Sequence, residues 1–258
     1  ARSCLSAATS AFAAASAFCG CLTSAPELAS EPARRLSASL TSAPAGASAP
    51  AGVRLVSFNV LAPIWAAPKW YPSDLNPGYL DRAQRRQRIA AFLQSVAGQT
   101  DVFCLQEVNE AELPFYLAAL GPGFEGAMAY NDPGLWSNWL VPELPWEPNG
   151  TAVLVKKGAF TGRSFTDLPL GQRGNRTMRF EGTHRASGRR TRVFSVHLDS
   201  DNNNTRLEEL ASLFAQSPPD ASITDLVAGD INEDTIIGSA SGRFAEAGYV
   251  DVLAAIGN

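Results

Sequence analysis

Four apolar runs in this chain end on residues that bind hard cations or move protons. "RLVSFNVL" carries Asn59, and "DVFCLQEV" closes on Gln106 and Glu107. "RVFSVHLDSD" delivers His197, Asp199 and Asp201, and "LVAGDINED" delivers Asp230 and Asn232. Residues two apart in a strand project to the same side, so Asp230 and Asn232 are expected to leave a core element together. An Asx residue at a strand end usually serves a turn, and any one of these would mean little. Four together predict a pocket with two carboxylates, a carboxamide and an imidazole. That set suits Mg²⁺-assisted attack of water on phosphorus, since Mg²⁺ takes few protein oxygens and keeps several waters.

The elements that must position these residues follow from hydrophobic periodicity. "VRLVSFNVL" reads as a strand, "YLDRAQRRQRIAAFLQSVAG" as a helix and "DVFCLQEV" as a buried strand. The helix is expected to turn Leu80, Ala83, Ile89, Leu93 and Val96 inward and its arginines outward. "EAELPFYLAALG" is a second helix, with Pro114 near its start. Residues 121 to 149 read as irregular; their Trp136, Trp139 and Trp146 could stack bases, line a lipid-facing lip or close a core. Within them "GPGFEG" spells a dinucleotide fingerprint, but it follows a helix instead of a strand and is a loop. "GTAVLVKK", "RTMRFEGTH", "RTRVFSVHL" and "DLVAGDIN" are strands, the middle two joined as a hairpin at Ser187-Gly188. "TRLEELASLFAQ" is a helix starting from an Asn/Thr cap. Hairpin-paired strands with helices in two separate places predict two sheets packed face to face, helices outside.

Composition sets limits on function. The chain has 258 residues, 45% apolar and 18% charged, with a formal charge of −4. That balance argues against a nucleic-acid coat protein or a membrane-surface binder, though not against an enzyme that uses a cation to hold phosphate. No strongly apolar stretch of membrane-spanning length occurs. Residues 1–52 are mostly Ala, Ser, Pro, Thr and Gly, a low-complexity leader that suits secretory or organellar targeting or a disordered linker. Residues 53–258 hold the folded domain, with Cys104 as its one cysteine, so no disulfide framework exists there. Between 173 and 192, Arg173, Arg176, Arg179, Arg185, Arg189, Arg190 and Arg192 face Glu181 alone. This stripe is either a polyanion contact or a solvated hairpin face.

"SFNVL", "LQEV", "VHL" and "GDIN", in this order and spacing, resemble the endonuclease/exonuclease/phosphatase (deoxyribonuclease I-like) superfamily over about residues 53 to 252. "SFNVLAP" and "NGTAVLVKK" resemble its deadenylase, nocturnin and angel-like branch, while "HLDSDNNNTRLEEL" looks more like small bacterial-type members or tyrosyl-DNA phosphodiesterases. The resemblance implies a four-layered α/β sandwich and a divalent cation, Mg²⁺ with Mn²⁺ as an alternative. It implies Glu107 as principal metal ligand with Asn59 beside it, and Asp230 as the group that orients and helps deprotonate the attacking water. Asn232 would hold a non-bridging oxygen or the nucleophile, and His197 would donate to the phosphoryl group as charge builds. Asn149 stands where family members contact substrate, although Asn-Gly is also a turn signal. Arg206 is a further substrate contact, or pairs with Asp199 to orient His197, or belongs to a helix cap.

The implied activity is hydrolysis of phosphodiesters, of nucleic acid first. The alternatives are a phosphomonoesterase or sphingomyelinase-type hydrolase, and a binding protein that keeps the fold without catalysis. The family closes its site with an Asp-His pair on a final strand, and nothing after "AGYVDVLAAIGN" supplies one. The expectation is that C-terminal strands are missing and that the 258-residue chain alone is inactive and aggregation-prone.

Overall fold

The computed structural model describes residues 52–131, 147–171, 174–233 and 239–251. The tryptophans Trp136, Trp139 and Trp146, Arg173 and the leader through Ala51 lie outside the described residues.

Among the described residues, eight strands form two four-stranded sheets. β1 (Leu55–Asn59), β2 (Val102–Asn109), β3 (Phe124–Tyr130) and β4 (Asn149–Lys156) make the first, in the order β1-β2-β4-β3. β5 (Phe160–Leu170), β6 (Asn175–His184), β7 (Arg190–His197) and β8 (Thr224–Asp230) make the second, in that order. Four α-helices of the described residues flank them: α1 (Arg82–Val96), α2 (Leu113–Leu120), α3 (Asn203–Gln216) and α4 (Ser239–Glu246). All eight residues of β2 are buried, so it does not alternate. A strand covered on both faces reads as one apolar run.

Three apolar clusters separate the layers. Ile89, Leu93, Phe103, Leu105, Tyr116 and Leu154 fill the space between the first sheet and α1 and α2. Val102, Cys104, Val153, Phe160, Met178 and Phe180 lie between the sheets. Leu170, Phe194, Val196, Leu210 and Leu213 lie under α3 and α4. Helix, sheet, sheet, helix is the four-layered α/β sandwich expected from the motifs. Each fully buried Leu or Phe contributes about 1.5–3 kcal/mol, and the three cores share that role.

Four strand pairs are antiparallel, but β1–β2 and β7–β8 are parallel. Parallel neighbours need a crossover, supplied here by α1 and by α3. The expected hairpin at Ser187-Gly188 joins β6 to β7, with Gly188 at φ 67°.

Three readings need correction. β3 runs through the stretch read as irregular, and β5 occupies a segment not read as a strand. Both are sheet edges. On α1, Ala83 is exposed while Arg82 and Arg85 are half-buried, so the arginines do not all face water. Among the described residues no helix is long and apolar enough to cross a membrane.

Candidate active site

The two parallel pairs decide where the polar strand ends meet. Parallel strands finish at the same end, so Asn59 sits level with Gln106 on β1–β2, and His197 level with Asp230 on β7–β8. Packing of the sheets then brings β1 against β8. Asn59 Nδ2 donates to Glu107 Oε1 at 2.8 Å and to Asp230 Oδ2 at 3.0 Å, one carboxamide joining carboxylates of different sheets. His197 Nε2 lies 3.9 Å from Glu107 Oε1. Just beneath, Gln106 Nε2 donates to Ser195 Oγ at 3.1 Å, stitching the sheets below the site.

The backbone around this cluster is unusual. Among the described residues, Leu61 (φ 58°), Glu107 (φ 59°) and Asn232 (φ 49°) are the non-glycine residues in the left-handed region. Each such residue costs on the order of 1–3 kcal/mol and persists only where its surroundings over-determine it. All three border one site. The β2–β4 register shifts between Leu105 and Val108, a bulge that turns Glu107 out of the ladder. Leu61 N donates to Asn59 Oδ1 at 2.9 Å, and Ala62 N donates to Glu107 Oε2 at 2.8 Å. Both Glu107 oxygens are therefore aimed.

Asp230 and Asn232 do share the site, but not by strand alternation. β8 ends at Asp230, and the chain turns left-handed. Asn232 N donates to Asp230 Oδ1 at 3.0 Å, and Asn232 Nδ2 donates to Leu198 O at 2.8 Å. An Asx turn orders the pair.

The remaining candidates lie around this centre. Asn149 opens β4 opposite Asn109 and lines a cavity of about 230 Å3 with Ala62, Pro63, Ile64, Arg82 and Glu147. That cavity adjoins the turn that holds Glu107. Arg206 Nη1 donates to Asp199 O at 2.9 Å, while its Nε is buried without a hydrogen-bond partner. Asp199 turns one carboxylate oxygen to the chain ahead of α3. Its Oδ1 accepts from the Asp201 and Asn202 amides at 3.0 and 2.6 Å, and Asn202 caps α3.

Glu209 was not foreseen. It is fully buried on α3, accepting from the Asp199 N–H at 2.8 Å and from Asn175 Nδ2 at 2.6 Å. Burial pushes its carboxyl pKa up, opposed by those two hydrogen bonds and by His197. Its signal in the sequence was an acid next to the apolar positions Leu210 and Leu213.

Three of the seven arginines of the stripe are in ion pairs within the protein. Arg192 pairs with Asp225 at 2.6 Å, Arg176 with Asp167 at 2.7 Å, and Arg179 with Glu181 at 3.6 Å.

The donor set fits a Mg²⁺-type ion. Glu107 and Asp230 supply hard oxygens, and among the described residues no group of three or more His, Cys, Asp or Glu could form an all-protein cage. Mg²⁺ is bound through one or two carboxylates and retains waters. Direct ligation by Asn59 would use the Oδ1 lone pair that the Leu61 N–H does not occupy.

Comparison with known proteins bears on this geometry. Residues 56–241 match the model of the Endonuclease/Exonuclease/phosphatase family. No curated protein sequence matches the chain. An endonuclease/exonuclease/phosphatase structure from Bacteroides vulgatus is 16% identical with TM-score 0.56, covering 75% of this chain and 70% of that one. ANGEL2, a 2',3'-cyclic phosphatase, in complex with adenosine-2',3'-vanadate is 20% identical with TM-score 0.59. That match covers 75% of this chain and 57% of that one. The human Nocturnin catalytic domain is 20% identical with TM-score 0.56, covering 75% and 68%. The chain thus spans little more than half the length of the ANGEL2 structure. These likenesses bear on the fold, and they include the branch that "SFNVLAP" resembles.

Proposed function

The chain belongs to the endonuclease/exonuclease/phosphatase family, whose members hydrolyse phosphate esters, and from that premise we propose that it is a Mg²⁺-dependent phosphodiesterase acting on nucleic acid. The observation that carries the reading is the Asn59 carboxamide held between Glu107 and Asp230. Aligning two carboxylates at one amide opposes their mutual repulsion. Such an arrangement stabilises a fold poorly and serves a cation well.

Glu107 would hold the ion, steered by Asn59 and by the Ala62 N–H. When bound, Mg²⁺ or Mn²⁺ supplies positive charge against the phosphate oxygens and lowers the pKa of coordinated water. Asp230 orients the attacking water and takes up its proton. Its Oδ1 is aligned by the Asn232 N–H and its Oδ2 by Asn59. Asn232 Nδ2 has a second hydrogen beyond the one given to Leu198 O, and donates it to a non-bridging oxygen. His197 donates to the phosphoryl group as negative charge builds, where a preorganised donor counts most. Asn149, on the wall of the adjoining cavity, and the guanidinium of Arg206, anchored on Asp199 O, are assigned to the rest of the substrate.

A second reading is hydrolysis of small phosphate esters, including phosphomonoesters. The internal pairing of Arg176, Arg179 and Arg192 favours it, since it removes three arginines from the polyanion contact that was one of the two readings of the stripe. The full-length protein with Mg²⁺ should be offered poly(A), duplex DNA, inositol phosphates and sphingomyelin. Cleavage of poly(A) or DNA supports the nuclease reading. Turnover confined to inositol phosphates or sphingomyelin overturns it.

A further inference from the structure

Arg85 is one of several arginines in "RAQRRQR", a stretch that looks solvated, yet it reaches inward. Its Nη2 donates to the Val60 carbonyl at 2.7 Å and also to the Leu61 carbonyl. Burial lowers the guanidinium pKa, and the nearby Glu112, Tyr116, Tyr71 and Glu107 oppose that shift. Arginine stays cationic under such conditions, so a charge is being spent on two backbone oxygens.

Those oxygens belong to the turn that manages the site. Val60 N donates to Gln106 O at 3.0 Å, which fixes the start of the turn to β2. Leu61 follows in the left-handed region, a conformation a leucine does not hold unaided. Asn59 Oδ1 secures the Leu61 N–H, and the next N–H, from Ala62, holds Glu107 Oε2. Without Arg85 the two carbonyls would lose their donor, and Leu61 would be free to relax toward ordinary φ. Relaxation would carry the Ala62 N–H away from Glu107.

We propose that Arg85 is a positioning residue for Glu107, acting through the Val60–Ala62 turn. The inference rests on the phosphodiesterase reading only for its kinetic readout. The test compares Arg85→Met and Arg85→Lys with wild type in the full-length protein. Two things are measured: hydrogen exchange at the Ala62 amide, and kinetics on bis-p-nitrophenyl phosphate with Mg²⁺. For Arg85→Met, Ala62 exchange should rise about tenfold or more while β2 and β4 amides keep their protection, as local opening demands. The kcat should fall about 10²-fold with KM nearly unchanged, the cost of displacing a reacting group by about 1 Å. Arg85→Lys, which keeps the charge but not the planar fork, should recover part of both losses. Unchanged Ala62 exchange in folded Arg85→Met overturns the proposal, as does a raised KM with kcat intact. If the Met variant fails to fold, the Lys variant decides by the same two readouts. A wild type without metal-dependent turnover sinks the phosphodiesterase reading instead, and the exchange data then decide the role of Arg85 alone.

Discussion

Replacing Glu107 with Gln changes one atom and should separate the stability of the site from its chemistry. In the protein both carboxylate oxygens accept, Oε1 from Asn59 Nδ2 and Oε2 from Ala62 N, each at 2.8 Å. A carboxamide has one acceptor oxygen, so its NH2 must face one of these two donors. Losing a hydrogen bond to a charged group costs about 1.5–3 kcal/mol. Part of this is returned, because the substitution removes a negative charge beside Asp230. A net loss of about 1–2 kcal/mol corresponds to roughly 2–8 °C in Tm for a domain of this size. Activity should suffer far more. The cation loses the charge that holds it, and a metal's several kcal/mol of transition-state stabilisation amounts to about 10²–10⁴ in kcat/KM. The assay is thermal melting beside Mn²⁺ titration and Mg²⁺-dependent diester hydrolysis. Unchanged metal affinity with near-full turnover would refute the role given to Glu107.

Three further outcomes are expected. Asp230→Asn, nearly isosteric, should lower kcat by about 10²–10⁴ while circular dichroism stays native, and a fall under tenfold would remove its role as base. Glu209 has a raised pKa through burial, so folding favours its protonated form. Its contribution to stability is full below the ordinary carboxylate pKa of 4.5 and is lost as pH rises through the elevated folded value. Urea midpoints followed upward from pH 4.5 should therefore drop in wild type and stay flatter in Glu209→Gln; equal slopes would contradict this. Gly150→Ala would put a Cβ 1.9 Å from the Ala129 carbonyl oxygen, so unfolding free energy should fall at the top of the ~1–3 kcal/mol overpacking range. A midpoint unchanged in denaturant would show that β3 and β4 do not pair as described.

What the sequence revealed and what it hid have different physical origins. β1, β2, β7 and β8 were readable because they are inner or site-bearing strands with continuous apolar runs, each stopping at a polar residue. β3 and β5 are edges, as β1 and β8 also are, but they carry no site residue at their ends and contain residues that elsewhere signal turns. β5 carries Gly162 and Pro169, and β3 carries Gly126, whose added Cβ would sit 2.7 Å from the Val153 oxygen. The ligand-type residues were legible one strand at a time. Their convergence on one pocket was expected from their number, but the Asn59 carboxamide as the bridge between the sheets was not, because it depends on how the sheets pack. Arg85 was hidden for a related reason. Residue type cannot say which arginine in a run points inward, since that depends on where α1 meets the Val60–Ala62 turn.

Hydrolysis of bis-p-nitrophenyl phosphate by the full-length protein, followed as Mg²⁺ is removed with a chelator and then restored, bears on the proposed chemistry without regard to the natural substrate. Turnover should vanish on chelation, return with Mg²⁺ or Mn²⁺, and be about 10²–10⁴-fold lower in Glu107→Gln at the same Mg²⁺ concentration. Turnover that survives chelation, or that persists at wild-type level in Glu107→Gln, would contradict a metal-dependent phosphodiesterase centred on Asn59, Glu107 and Asp230.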